Sequence, residues 1–356
     1  MQDKISILLP YKENFSKENF GSVSLFVKDL NEKSKFKKIT NIYGNTKFIP
    51  IKNFKYKNLK QTFLHFTGRN RTHTNQFIKE AKKNPNLKII EVHNRPISVS
   101  MIKKSLPTKK IILYYHNDPL LMKGYSDEKR RKNLLDSCHL IYFVSKYLKN
   151  QFSKNLVLSA LDKKKLHVLF NGVWPNRIKN KNRTKNIVYV GKLDKKKGFF
   201  EFKKAISNIV IDFPDWKIDI FGTNNKGQFP KSNHPNIKFY GQKDNNYVKK
   251  FLLNSSISII PSIWNEPFGR TLIESINAGC SVISSQSGGL KEISAYFNLL
   301  KLSKPSKKSI YNALKKLIMS THELQKLQSN SVINTPFNLT HITNYHDKNR
   351  STFLSQ

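Results

Sequence analysis

The sequence predicts an α/β protein made of two doubly wound, Rossmann-like units, and three observations carry that prediction. Short apolar runs alternate with segments whose apolar residues recur at helical spacing, and the runs are continuous, as strands buried on both faces of a parallel sheet require. The alternation stops at a polar, basic stretch, "WPNRIKNKNRTKN", and then restarts. The chain has 356 residues, enough for two domains that each have a core.

Residues 5–9 form the first expected strand. A loop containing Gly21 leads from it to a helix with Val23, Phe26, Val27 and Leu30 on one face. Further strands are expected at 87–92, 111–115, 140–144 and 167–170, with Ser145 as the N-cap of the helix after the strand at 140–144. Asn171 and Gly172 are read as the turn between domains. The second series runs through a strand at 187–190, a helix at 199–211, strands at 216–221 and 237–240, and a helix at 247–253. No repeat of solenoid type is visible. The tail reads as helices, including 310–319 and 339–353. The expected division is therefore 1–173, an acceptor-binding domain; 174–335, a donor-binding domain; and 336–356, a C-terminal helix packing back on the N-terminal domain.

The stretch "PSIWNEPFGRTLIESINAGCSVISS", residues 261–285, carries the most chemistry. The apolar run 257–260 ends at Pro261, Pro267 and Gly269 mark a turn, and Leu272, Ile273 and Ile276 recur at helical spacing until Gly279. Glu266 then lies at a strand's carboxyl end and Glu274 one turn into the next helix. Ligands of open α/β sheets bind at that rim, where helix N-termini offer amides and a positive dipole end. Amides of Phe268, Gly269, Arg270 and Thr271 suit an anion or sugar hydroxyls. Glu274 follows about 7 Å further along the helix, close to the step from a diphosphate to a ribose. A carboxylate there accepts two bonds from a diol. For an isolated helical Glu, pairing with a lysine is the more ordinary role.

Composition narrows the class. With 38% hydrophobic and 12% aromatic residues the chain is globular, and no apolar run reaches the ~18 residues that span a bilayer. The start, "MQDKISILLPYKE", lacks the features of a signal peptide, so a cytoplasmic protein is expected. Cys138 and Cys280 have no metal-ligand spacing and read as reduced thiols. The net charge of +41 invites a nucleic-acid hypothesis, yet nine of the 64 basic residues are arginine, the residue that reads bases and stacks. Part of the charge is read as compositional drift on solvated faces. The remainder suits an anionic membrane surface, at about 1 kcal/mol per well-placed lysine, and no specific nucleic acid is expected.

With these residues in view, the chain resembles the GT-B glycosyltransferases of the family 4 type, which are retaining enzymes. The motifs that carry the resemblance are Glu266 and Glu274 in the Glu-x7-Glu spacing, "NFGSVS", "EVHNRP", "LYYHNDP", "FVSKYL", "LFNGV", "VYVGKLDKKKG", "DIFGT" and "SSQSGGLKEI", over most of the chain to about Ile293. The resemblance implies two Rossmann-like domains facing a central cleft. It also implies a nucleotide-diphosphate sugar as donor, a glycan or glycolipid acceptor such as a lipopolysaccharide core, and no metal or other cofactor.

Carried over by position, Lys192 and Lys197 resemble the basic pair on the donor diphosphate; the family more often has Arg in the first place, so Lys192 keeps the charge and loses the bidentate fork. Gly21 resembles a backbone-only phosphate contact, and a plain turn glycine fits it equally. His116 corresponds to the family histidine near the transferred sugar, bonding a hydroxyl or aiding the leaving group. His93 and Arg95 line the acceptor side or brace the cleft, two readings of equal weight. Of the two retaining routes, a glycosyl-enzyme and a same-face transfer in which the diphosphate takes the acceptor's proton, the resemblance implies the second, with Glu266 stabilising the anomeric carbon. The alternative class is a basic nucleic-acid- or membrane-binding protein with a degenerate sugar-nucleotide site.

Overall fold

Two strand sets that never mix build the chain. In the computed structural model, which describes residues 3–17, 20–59, 68–176 and 182–355, the first set comprises β1 (Ile5–Leu8), β2 (Thr40–Gly44), β3 (Lys55–Asn58), β4 (Ile89–His93), β5 (Lys110–Tyr115), β6 (Leu140–Phe143) and β7 (Leu166–Val168). The second comprises β8 (Thr184–Val190), β9 (Lys217–Phe221), β10 (Ile237–Gly241), β11 (Ser255–Ile260), β12 (Ser281–Ser285) and β13 (Leu300–Leu302). Every pairing within a sheet is parallel.

The sheet orders are β3-β2-β1-β4-β5-β6-β7 and β10-β9-β8-β11-β12-β13. The winding therefore reverses once in each, between β1 and β4 and between β8 and β11. Loops leaving two neighbouring strands in opposite directions open a crevice at their carboxyl ends. These are the doubly wound α/β units that the sequence predicts. The loop carrying Gly21 and the end of β4 at His93 flank the first reversal, and the loops carrying Lys197 and Glu266 leave the second.

The chain divides after Asn171: one unit is Met1–Asn171 with Leu339–Gln356, the other Gly172–Asn338. The basic stretch read as a linker includes residues 177–181, which lie outside the described residues. In the second unit, Ile187, Tyr189, Phe202, Ile206, Ile218, Ile220, Ile257, Ile259 and Ile283 make a continuous apolar core between sheet and helices. The helix Arg270–Ala278 buries Leu272, Ile273 and Ile276 and ends at Gly279 with φ 83°, the left-handed C-cap that glycine adopts without strain. Ser145 caps the helix Lys146–Ser153 by accepting from the Leu148 amide at 3.1 Å.

The last helix, Leu339–Ser355, belongs to the first unit, and its buried face is largely polar: Thr343, His346, Asp347 and Arg350. Arg350 is 0% exposed and binds Glu91 of β4 through Nε and Nη2 at 2.8 and 2.7 Å. Asn31 Oδ1 and Ser34 Oγ take its Nη1. Burial works to lower the guanidinium's pKa, but Glu91, Tyr114 and Asp347 together hold it above its ordinary value. Removing one member leaves a buried charge unpaired. Arg350→Met is expected to destabilise the first unit by about 3–5 kcal/mol, measured by urea denaturation, with a smaller loss in the double variant that also carries Glu91→Leu.

Candidate functional site

In the second unit the site grows from two neighbouring strands. β8 runs into the loop Gly191 to Gly198, and β11 into the loop Pro261 to Gly269. The two loops are tied by the Ile263 amide donating to the Lys196 carbonyl at 2.8 Å. Gly198 makes this approach possible: its φ is 69°, and a Cβ there would lie 1.8 Å from the Pro261 carbonyl oxygen. Asp194 accepts from the Lys197 amide at 2.9 Å, which sets the turn that projects the Lys197 side chain.

Lys197 Nζ then reaches Glu266 Oε1 at 2.6 Å, and Ser262 Oγ donates to the same oxygen. Glu266 is nearly buried, its side chain 7% exposed, while Lys197 keeps 31%. Behind the carboxylate, the Gly289 amide donates to the Glu266 carbonyl at 2.7 Å, and Gly288 has φ 56° with room for no side chain against that carbonyl. The glycine pair thus fixes the backbone from which Glu266 projects. The Lys196 and Lys197 ammonium groups lie 5.4 and 5.7 Å from the Trp264 ring centre.

Eight residues on, Glu274 accepts from Arg270 Nε at 2.9 Å and from Asn245 Nδ2 at 3.3 Å, both on Oε1. Its partner is thus its own helix's arginine one turn back. The helix Arg270–Ala278, and the helix Phe199–Asp212 on the neighbouring loop, each start after a glycine, Gly269 and Gly198, which supplies no capping side chain of its own. Two positive dipole ends and the lysine loop therefore gather at one carboxyl edge, a setting for an anion. The Phe268 ring turns into the core against Phe337, so this residue can serve a ligand only through its backbone; Thr271 is half-buried. Lys192 is exposed, and its ammonium makes no ion pair among the described residues; Tyr189 Oη holds its carbonyl at 2.7 Å.

In the first unit, the loop after β1 carries a feature that the sequence reading missed. Glu13 Oε1 accepts from the Val23 and Ser24 amides, both at 2.9 Å, at the start of the helix Ser22–Glu32. A Cβ on Gly21 would lie 1.8 Å from that oxygen. Gly21 therefore makes room for a carboxylate of its own chain at the spot read as a phosphate contact. Burial pushes the Glu13 carboxyl up, against the pull of its two amide bonds and of Arg95. Arg95 also donates from Nη1 to the Asn94 carbonyl at 2.7 Å.

His93 and His116 lie side by side at the ends of β4 and β5, His93 Nδ1 and His116 Nε2 being 2.9 Å apart. His93 stacks on Tyr114 at 4.2 Å between ring centres, and Tyr114 Oη meets His346 Nε2 at 2.5 Å. Burial lowers the pKa of all three histidines, that of His116 to about 3. Among the described residues no group of three or more His, Cys, Asp and Glu is arranged to hold a metal. Nor is any helix long and apolar enough to cross a membrane. Cys138 and Cys280 are free and buried.

The second unit carries a recognised domain: residues 173–332 match the family model of glycosyl transferases group 1. Spore coat protein SA of Bacillus subtilis (strain 168) is 26% identical over 58% of this chain and 61% of its own length. A protein of Methanocaldococcus jannaschii described as the uncharacterized glycosyltransferase MJ1607 is 26% identical over 48% of this chain and 49% of its own. The chain thus spans less than two thirds of these curated relatives. Among solved structures, Anabaena Alr3699/HepE in complex with UDP and glucose superposes with a TM-score of 0.72 at 13% identity, covering 98% of this chain and 99% of that one. WaaG, described as a glycosyltransferase involved in lipopolysaccharide biosynthesis, gives 0.68 at 12%, covering 97% and 98%. At such identities the likeness is one of fold, and the fold is that of GT-B glycosyltransferase structures.

Two outcomes test this geometry. Gly198→Ala is expected to cost more than about 1 kcal/mol, from positive φ and the clash with Pro261, read as a lower urea midpoint. The buried histidines bind fewer protons folded than unfolded, so stability is full above their ordinary pKa near 6.5 and falls as the pH drops below it. Each contributes at most about 1.4 kcal/mol per pH unit. Urea midpoints between pH 7 and pH 4, with His116→Gln as a reference of shallower slope, check this.

Proposed function

We propose that the chain is a retaining glycosyltransferase that moves a sugar from a nucleotide-diphosphate sugar to a glycan or glycolipid acceptor, in the synthesis of lipopolysaccharide or another surface polysaccharide. The observation that carries the reading is the contact of Lys197 with Glu266 at 2.6 Å, beside the helix start at Gly269 that leads to Glu274. Support comes from the group 1 glycosyl transferase match, from the UDP and glucose in the Alr3699/HepE complex and from the role printed for WaaG.

In this reading the diphosphate lies against the helix start at Gly269 and the lysine loop. Lys197 has three donors and spends one on Glu266, so the others serve a phosphate. Glu274, held by Arg270 and Asn245 on one oxygen, offers the second to the pentose hydroxyls. Glu266, held the same way by Lys197 and Ser262, faces the sugar and stabilises positive charge at its anomeric carbon. The departing diphosphate takes the acceptor's proton, and no metal takes part. His116 serves a sugar hydroxyl, Arg95 belongs to the acceptor side, and His93, which is buried, braces His116 from behind. The proposed place of work is the cytoplasm, on the inner face of the membrane, where a charge of +41 favours anionic head groups.

Thermal-shift titration with UDP, GDP and ADP tests the class. One of them is expected to raise the melting temperature, since a native-state ligand at a hundredfold excess over its Kd adds about 2.7 kcal/mol. No shift with any, alongside salt-sensitive binding to DNA or vesicles alone, rejects the reading. The roles separate by variant: Glu274→Ala is expected to weaken nucleotide binding about tenfold or more, whereas Glu266→Ala lowers turnover with little change in nucleotide affinity.

A further inference from the structure

The two histidines at the ends of β4 and β5 form more than a contact, because their surroundings decide which ring carries the proton between them. A neutral imidazole has one N–H, and its position follows from the bond that the other nitrogen makes. His93 is buried on all sides. One face lies on Tyr114, interplanar angle 12°, and Phe26 stands 6.1 Å away. Its Nδ1 meets His116 Nε2, while its Nε2 is buried with no hydrogen-bond partner. His116 retains 8% exposure, rests on the edge of Phe26 at 5.0 Å, and its Nδ1 bonds nothing among the described residues.

Two arrangements are possible. If His116 Nε2 donates, His93 accepts at Nδ1 and must carry its one proton on Nε2, an orphaned buried N–H. If His93 Nδ1 donates, the orphan at Nε2 is a bare lone pair. The second arrangement is favoured because it leaves only a bare lone pair without a partner inside the protein, whereas genuinely orphaned buried N–H groups are rare.

We infer that His93 is a positioning residue that donates from Nδ1 to His116 Nε2, fixing His116 as the Nδ1–H tautomer and making it a hydrogen-bond donor to the substrate. Its role in the proposed transfer is then to donate to a sugar hydroxyl or a developing oxyanion, not to withdraw a proton. The stack extends this control to the C-terminal helix. Tyr114, on which His93 lies, is bonded to His346, and Arg350 one turn further on is paired with Glu91. The inference rests on the proposed function only for the identity of the substrate; the tautomer belongs to the protein alone.

The test is accordingly spectroscopic first. Long-range 1H–15N NMR of the full chain, with His116 assigned through His116→Gln, reads each ring nitrogen as N–H or lone pair. The expected result is N–H at His116 Nδ1 and a lone pair at His116 Nε2 and His93 Nε2. A lone pair at His116 Nδ1 in the wild-type protein overturns the inference, whatever the variants do. His93→Asn, which presents an amide donor near the Nδ1 position, is expected to keep the tautomer, and His93→Phe to convert it to a mixture. Where nucleotide-sugar turnover is found, His93→Phe should lower kcat by roughly tenfold, the worth of one hydrogen bond, with KM nearly unchanged and His93→Asn restoring it. Equal loss in both variants, with the tautomer unmoved, counts against positioning. Absence of turnover with the tautomer as expected rejects the transferase reading and leaves this one standing.

Discussion

A parallel sheet covered by helices on both faces leaves one place for chemistry, the edge where strands end and helices begin. That constraint organises both units. β1 and β4 in one, β8 and β11 in the other, are neighbours whose connections leave in opposite directions, so their loops part and uncover helix starts between them. Chemical side chains collect there because everywhere else is packed: Ile5, Ile7, Ile89, Ile90, Ile187, Ile257 and Ile283 are all 0% exposed. The loops differ in what they bring to the same geometry. The second unit brings lysines and acids in contact; the first brings a carboxylate already seated on its helix amides and a pair of neutral rings.

The acids of the second unit repeat one device. Each carboxylate is held on a single oxygen by a cation and a neutral donor, Lys197 and Ser262 for Glu266, Arg270 and Asn245 for Glu274. A buried carboxylate without a cation would be desolvated at a cost of several kcal/mol. Fixing one oxygen orients the group while the other stays directional. The same logic explains the glycines at 198 and 288: the carboxylate is only as well aimed as the loop beneath it, and that loop needs backbone approaches that no side chain allows. In the first unit the aim is set by stacking and by a polar core reaching to Arg350, so that the last helix of the chain supports the ring at the end of β4.

Much of this was legible in the sequence, for identifiable reasons. The continuous apolar runs gave away β1, β4, β5, β6 and the strands from β8 to β12, because burial on both faces writes an unbroken pattern. β2, β3 and β13 escaped it. β13 is three residues, and β3, "KYKN", is an edge strand whose lysines face solvent and guard against pairing with another chain. The spacing of Glu266 and Glu274 was visible, as was Lys197, since the turn glycines and helix period bracket them. Their neighbours were not: Ser262 and Asn245 are ordinary residues whose meaning lies in where the chain turns. Glu13 stands eight residues before Gly21 with nothing between to show that it folds back onto the helix start. His93 and His116 were both singled out, yet their contact, made across neighbouring strands far apart in the chain, has no sequence signature.

The charge of +41 looks like a statement of function until its residues are sorted by what they touch. Many lysines are exposed, in helices and loops alike, and those in pairs are largely solvated, such as Lys185 with Asp215 and Lys204 with Glu201; such pairs contribute little. Four of the nine arginines are used differently. Arg131 gathers the carbonyls of Gln151, Phe152 and Lys154; Arg183 gathers those of Leu252, Ser255 and Ala278; Arg350 grips Glu91; Arg270 holds Glu274. These are places where several donors must leave one planar group at fixed angles, which an ammonium on a flexible stem cannot match. A chain free to write lysine wherever charge alone suffices has kept arginine where geometry is required. That division argues that the excess charge is mostly a property of the surface and that the chemistry resides in the few cations with a fixed partner, Lys197 foremost among them.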